Sequence, residues 1–260
     1  MPIPTRFLEI PLGKYVYFAS DFHFGIPDYE TSLAREREVC AWLEEIKPYA
    51  QYLFLMGDIW DTWLEYKKVI PKGTTRFLGK LAELSDAGVQ IIFFTGNHDL
   101  WTRDYFTKEL NIEVLHEHTT FNINQSSLHL GHGDGIGPGD KKYKLLKSVL
   151  RNKFCQFLYR NVHPDLGFRI ASFLSKQGPK HKYQDLQFFG EDKELQILYA
   201  KEMLQKQHID YFVFGHRHIP NFLPIGAKSF YINLGDWLSY KTYARLGESM
   251  ELLTFEKNNV

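Results

Sequence analysis

Five times along this chain an apolar, β-rich run ends in a short cluster of Asp, Asn or His, and this recurrence limits the fold more than any other feature. Residues 14–20 (KYVYFAS) run into Asp21-Phe22-His23. Residues 52–56 (YLFLM) run into Gly57-Asp58, and residues 89–95 (VQIIFFT) into Gly96-Asn97-His98-Asp99. Residues 127–130 lead into Gly131-His132-Gly133-Asp134, and residues 211–214 (YFVF) into Gly215-His216-Arg217-His218. A polar side chain at the end of a buried strand is held rigidly at the rim of a sheet, where metals and substrates bind. Each cluster alone reads as turn chemistry. All five can share one centre only if their strands lie side by side, and Asp58 then falls between two cations.

The segments between the runs support an α/β layered fold. Residues 30–47 carry apolar positions at helical spacing and stop at Pro48; residues 74–87 form a second helical stretch stopped by Gly88. The uninterrupted apolar run at 89–95 is typical of a parallel strand covered on both faces. Beyond residue 100 the pattern shortens and alternates, with a hairpin expected over 121–123 and 127–130. Strand character returns at 211–214, 229–234 and 250–255, after a helix over 191–208. Two strand-rich halves with helices outside them describe two stacked sheets covered by helices.

Residues 141–196 stand apart. KKYKLLKSVLRNKFCQFLYRNV reads as one basic amphipathic helix, HPDLGFRIASFLSKQ as a second, and GPKHKYQDLQF as a polar connector. The expected organisation is a core of residues 1–140 and 197–260 with a helical lid at 141–196.

Several function classes are excluded at this stage. Lys plus Arg equals Asp plus Glu at 31 each, so no basic field argues for nucleic acid as a partner. Cys40 and Cys155 stand in no CxxC pattern, which fits a reduced, cytoplasmic compartment and removes a zinc knuckle from consideration. The N-terminus has no apolar leader region, and no apolar run approaches the ~18 residues of a membrane span. The aromatic content is high, with 21 Phe and 15 Tyr, residues that fill cores and also line apolar ligand sites.

The candidate ligands are Asp21, His23, Asp58, Asn97, His132, His216 and His218. Carboxylate, imidazole and amide oxygen together suit Mn²⁺, Fe²⁺ or Zn²⁺. Two such ions about 3.5–4 Å apart need a bridging ligand, and such a pair activates water and clamps a phosphoryl group.

The ordered set DxH, GD, GNHD, GHGD and GHRH resembles that of the calcineurin-like metallophosphoesterases, and the match runs from Asp21 to His218. The resemblance implies a four-layer α/β/β/α sandwich. It implies that Asp21, His23 and His218 hold one metal, that Asn97, His132 and His216 hold the other, and that Asp58 bridges. It makes His98 the catalytic imidazole at the leaving oxygen, with Asp99 behind it as its orienting carboxylate.

The insertion is similar to that of the UDP-2,3-diacylglucosamine hydrolases, a branch of that family acting in lipid A synthesis. Gly57-Asp58 followed by Trp63 matches its second motif, and His132-Gly133-Asp134 with Asp140 and Tyr143 matches its lid entrance. That resemblance implies two Mn²⁺ ions and a nucleotide-sugar lipid substrate cleaved to UMP and 2,3-diacylglucosamine 1-phosphate. It also implies contact with the cytoplasmic face of the inner membrane. Phe154, Phe157, Leu158, Ile170, Phe173 and Leu174 are expected to line an acyl groove. Arg151, Lys153, Arg160, Arg169 and Lys176 are expected near anionic groups, and Trp63, Asp134, Asp140, Tyr143, Arg169 and Lys176 at the substrate. One position departs: the best-known members carry Arg where this chain has His98, which here reads like the generic phosphoesterase motif. Two alternatives stay open, a phosphodiesterase or phosphatase acting on a soluble nucleotide and a non-catalytic scaffold on the same fold.

Overall fold

In the computed structural model, which describes residues 5–139, 141–177 and 187–256, the two strand-rich halves form two six-stranded mixed sheets packed face to face. The first sheet contains β2 (Tyr15–Ala19), β3 (Ala50–Leu55), β4 (Gln90–Phe94), β5 (Glu113–Leu115), β11 (Thr242–Leu246) and β12 (Met250–Thr254), in the order β12-β11-β2-β3-β4-β5. The second contains β1 (Thr5–Leu8), β6 (Thr119–Ile123), β7 (Ser126–Leu130), β8 (Tyr211–Phe214), β9 (Asn221–Gly226) and β10 (Ser229–Asn233), in the order β1-β6-β7-β8-β10-β9. β2, β3, β4 and β5 are mutually parallel, and so are β7, β8 and β10, which brings the ends of all five motif strands to one rim.

Strand alternation builds the layers. In β2, Val16 and Phe18 face the second sheet and join Phe54, Phe94, Phe121, Leu130, Val213 and Ile232 in the inter-sheet core. Tyr17 and Ala19 face the other way, onto α1 (Tyr29–Ile46) and α2 (Thr75–Asp86), through Val39, Trp42, Leu43, Phe77 and Leu81. The outer face of the second sheet packs under α7 (Leu195–Leu204), where Ile197, Ala200 and Met203 meet Phe212, Phe214 and Tyr231. This is the α/β/β/α sandwich.

Local chemistry fixes the helices. Asp28 caps α1 by accepting from Thr31 N at 2.8 Å. Buried Glu36 of α1 accepts from the first backbone N–H groups of α2, Arg76 at 2.8 Å and Phe77 at 3.1 Å. Short α3 (Tyr105–Glu109) opens in the same way on buried Glu65.

The insertion differs from expectation at its first helix. The stretch read as one helix is two, α4 (Lys141–Arg151) and α5 (Lys153–Arg160). Asn152 breaks it: its backbone is extended, and its side chain accepts from Phe154 N and Cys155 N, which makes it the cap of α5. α6 (Pro164–Gln177) follows. α7 is shorter than the expected 191–208, because residues 190–194 form a turn in which Glu194 N donates to Gly190 O. Gln196, placed on the lid side of the expected boundary, lies on α7 and is buried against the core. No helix of the described residues is long and apolar enough to cross a membrane.

Candidate metal centre

The loops after β2 and β3 continue side by side past the strands. Asp21 N donates to Gly57 O, His23 N to Asp58 O and Phe24 N to Ile59 O, all at 3.0–3.1 Å. This pairing carries Asp21, His23 and Asp58 to the same rim. Arg35 of α1 pins the first loop from behind, donating to His23 O at 2.7 Å and Ile26 O at 2.6 Å.

Close approach explains the Gly that opens two of the motifs. A Cβ on Gly96 would lie 2.2 Å from Asp58 Oδ1, and one on Gly215 would lie 2.4 Å from Asp21 Oδ2. The backbone N–H groups next to these glycines hold the carboxylates: His98 N donates to Asp58 Oδ1 at 2.9 Å, and His216 N to Asp21 Oδ2 at 3.0 Å.

Three donor groups result among the described residues, one of them His23, Asp61 and His98 at the edge of the cluster. Asp21, His23 and His218 present ligand atoms within 4.8 Å of one another, and Asp58, His132 and His216 do the same. Asp58 connects them, with Oδ2 at 3.1 Å from His132 Nε2 and 3.8 Å from His23 Nε2. Asn97, next to His98, has a buried Oδ1 that makes no hydrogen bond among the described residues. Buried polar atoms without hydrogen bonds are costly unless something else coordinates them. With hard carboxylate oxygens and imidazoles as the donor set, the residues fit a pair of borderline divalent cations.

Electrostatics point the same way. Burial opposes charge on His23, but the Asp21 and Asp61 carboxylates and then Asp58 outweigh it and raise His23 to about 10. Burial opposes charge on His132 too, and Asp58 followed by Asp21 raises it to about 10. The carboxylates create a field that recruits positive charge. His216 goes the other way, lowered to about 4 by burial and by the neighbouring His132, so its imidazole is neutral at pH 7 and suited to ligation. His132 donates from Nδ1 to Met56 O at 2.8 Å, which leaves Nε2 for the centre.

His98 stands at the edge of this cluster, its ring centroid 4.9 Å from that of His23 and its side chain 23% exposed. Its partner is not the expected one. Asp99 accepts from Gly96 N at 2.6 Å and Ile59 N at 2.8 Å, tying the β3 and β4 loops together. Asp61 stands behind His98 instead: its carbonyl accepts from His98 Nδ1 at 2.7 Å, and its carboxylate lies 3.6 Å from His98 Nδ1 and 3.7 Å from His23 Nδ1. The sequence held the signal, a second Asp three residues after Asp58.

The expected substrate contacts divide. Trp63 is 1% exposed in a cluster with Trp60, Tyr105 and Phe106, so it packs the core. Asp134 is buried and bound to the insertion, accepting from Tyr143 Oη at 2.6 Å and pairing with Lys147 Nζ at 2.6 Å. Those two side chains are therefore a joint between the His132 loop and α4. Arg169 is exposed on α6. Asp140 lies outside the described residues, as do residues 178–186 of the connector and the side chains of Phe173, Leu174 and Lys176. Two of the expected anion contacts serve as struts, Arg151 to Glu117 and Arg160 Nε to Glu65 O at 3.1 Å. Trp101 adds a third, donating to Leu150 O at 3.0 Å and meeting Tyr159 edge-on.

Two facing sheets with this cluster at their shared rim define a class. The chain belongs to the calcineurin-like phosphoesterase family, whose family model matches residues 14–220. Within it, the chain is 37% identical over 243 residues to the UDP-2,3-diacylglucosamine hydrolase of Porphyromonas gingivalis, covering 88% of this chain and 92% of that protein. It is 25% identical over 244 residues to the Haemophilus influenzae protein of the same name, covering 92% and 97%. The chain is a metal-dependent phosphoesterase.

Proposed function

We propose that this protein hydrolyses the pyrophosphate bond of UDP-2,3-diacylglucosamine, giving UMP and 2,3-diacylglucosamine 1-phosphate. The observation that carries the chemistry is the pair of donor groups on either side of Asp58. Near-full-length similarity to the Porphyromonas gingivalis hydrolase supports the substrate.

Asp21, His23 and His218 would hold one cation, Asn97, His132 and His216 the other, with Asp58 between them; Mn²⁺ suits this mixed set. When bound, the two ions supply Lewis-acid neutralisation of the phosphoryl oxygens and lower the pKa of the attacking water. The protein's own groups do the rest. Strand ends fix the seven ligands, so little reorganisation accompanies reaction. Asp61 holds the His98 imidazole by Nδ1, which leaves Nε2 to donate to the oxygen of the departing sugar phosphate. The Asp61 carboxylate lies 3.6 Å from the same nitrogen.

The lid supports an acylated substrate. Leu145, Leu146, Val149, Phe154, Phe157, Leu158 and Leu166 are all exposed on α4, α5 and α6, although the helices are strutted to the core. Large apolar side chains gathered on one insertion mark a binding surface. Exposed Lys141, Lys144, Lys153 and Arg169 lie on the same helices, and basic side chains beside apolar ones suit the anionic surface of a bilayer.

Hydrolysis with Mn²⁺ of UDP-2,3-diacylglucosamine, UDP-N-acetylglucosamine and bis-p-nitrophenyl phosphate tests the reading. Strong preference for the acylated compound, with UMP as product, is expected. Equal or faster turnover of the soluble compounds would make the lid a packing element and the protein a phosphodiesterase of soluble nucleotides.

A further inference from the structure

The five motifs leave out a sixth strand-end polar cluster, a Gly-Asp. β10 ends at Asn233, and Leu234-Gly235-Asp236-Trp237 follows. Asp236 is 0% exposed. Its Oδ1 accepts from Ser239 N at 2.7 Å and Tyr240 N at 3.2 Å, and its carbonyl accepts from Lys241 N at 2.8 Å. These bonds fix the carboxylate, and its other oxygen, Oδ2, lies 3.1 Å from His218 Nδ1. Trp237 N donates to Asp21 O at 3.2 Å. One loop of the second sheet therefore touches two of the three residues in the Asp21–His23–His218 group.

We propose that Asp236 is the positioning residue for His218: it accepts the Nδ1 proton, fixes that tautomer, and aims Nε2 into the group, where it lies 3.3 Å from Asp21 Oδ1. The inference rests on the reading of this group as a cation site. A carboxylate behind a ligating imidazole sets its orientation and raises its basicity, and losing that carboxylate weakens the site roughly 10–100-fold. Asp236→Asn isolates the effect. If the amide oxygen faces His218, the amide N–H₂ faces the N–H groups of Ser239 and Tyr240, donor against donor. If the amide turns over, it presents a donor to Nδ1 and forces the opposite tautomer.

The test is a Mn²⁺ titration of the metal-depleted full-length protein, with free Mn²⁺ read by electron paramagnetic resonance. Wild type is expected to bind two ions. Asp236→Asn weakens one site roughly 10–100-fold and leaves the other within about threefold. His218→Ala weakens that same site, and adding Asp236→Asn to His218→Ala changes nothing further. Unchanged binding by Asp236→Asn, or equal weakening of both sites, overturns the proposal. Should the variant fail to fold, ¹⁵N NMR of zinc-loaded wild type decides, with the His218 signal assigned through His218→Ala. A slowly exchanging proton on Nδ1 supports the role, and an unprotonated Nδ1 overturns it. A wild-type protein that binds no Mn²⁺ overturns the cation site itself, whereas an indifferent Asp236→Asn overturns only this inference.

Discussion

Phe154 and Phe157 of α5 are 66% and 62% exposed, which makes them the sharpest probe of whether the lid binds acyl chains. A Phe residue carries roughly 200 Å² of surface, so each leaves about 130 Å² in water. Full burial of that area against an acyl chain would contribute about 3 kcal/mol at ~25 cal/mol per Å². A flexible chain covers one face of a ring and gives up conformational freedom on binding, so about 1–1.5 kcal/mol per residue is the realistic share, roughly tenfold in kcat/KM. Replacing both by Ala should lower kcat/KM for UDP-2,3-diacylglucosamine by roughly 50–100-fold, with less loss on shorter acyl chains. Hydrolysis of bis-p-nitrophenyl phosphate should not change, because that compound carries no acyl chain to meet the rings. Stability should barely move, since the rings are exposed in the folded chain. Steady-state kinetics on both substrates and a thermal melt check all three. The reasoning fails if the double variant keeps wild-type kcat/KM on the acylated substrate, or if both substrates decline in parallel.

Other consequences are equally open to measurement. His98→Ala should lower kcat by roughly 10²–10⁴ while Mn²⁺ stoichiometry stays at the wild-type value; loss of bound metal would make His98 a ligand. Chelation should abolish activity and lower Tm, and Mn²⁺ should restore both, because an ion bound only by the folded state adds about 2.7 kcal/mol at a hundred times its Kd. Lys147→Met strands the buried Asp134 carboxylate and should cost about 3 kcal/mol in urea unfolding. Adding Asp134→Asn should recover part of that loss, and no recovery would mean that the pair is incidental. His129 is fully buried between Thr120 and Tyr199, and burial lowers it to about 3. The unfolded chain, with His near 6.5, then binds the extra proton between pH 6.5 and 3. The stability contributed by keeping His129 neutral is complete above pH 6.5 and is lost as pH falls, by about 2 kcal/mol at pH 5. His129→Gln should flatten that part of the stability curve relative to wild type, and an unchanged slope would refute the assignment.

The sequence was legible where one physical requirement dominated. Strands covered on both faces must be continuously apolar, so β2, β3, β4 and β8 stood out, and the residues just past their ends were easy to find. Edge strands β1, β5 and β9 are not legible because they are partly exposed and need no apolar run, and interior β11 is not legible either, because its Thr and Arg interrupt the apolar pattern. The α4–α5 break was missed because Asn152 is tolerated inside a helix by pattern alone, and its capping bonds appear only in three dimensions. Asp99 was given the wrong neighbour because adjacency in sequence says little in a tight turn. Asp99 points back to Gly96 and Ile59, and His98 is met by Asp61 from the neighbouring loop. Trp63 carries a motif spacing that suggests a substrate contact, although its place is in the aromatic cluster. Asp236 obeyed the same strand-end grammar as the ligands, but its partner lies on another strand and no spacing rule reaches it.

The cost of building the site is visible in the backbone. Asp21, His23, Asp58, His216 and His218 all have positive φ, between 44° and 68°. For residues with a Cβ this conformation costs on the order of 1 kcal/mol each, so five of them are a substantial fraction of the stability of an ordinary domain. Nothing in the packing of the sheets demands it. A strand that ended in an ordinary turn would direct its next side chain along the sheet face, into the cores that Phe18, Phe54 and Phe214 already fill. The left-handed step turns these five side chains off the strand line and toward one another. Asp58 can then face His23 and His132 at once, and Asp21 can face His218 while taking the backbone N–H of His216. The same step explains why glycine stands at positions 96 and 215, where the incoming carboxylates leave no room for a side chain. Strain of this kind persists only where surrounding structure over-determines it. Here the sheets supply that constraint through parallel strands buried on both faces, and the rim between them is where the donor groups around Asp58 meet.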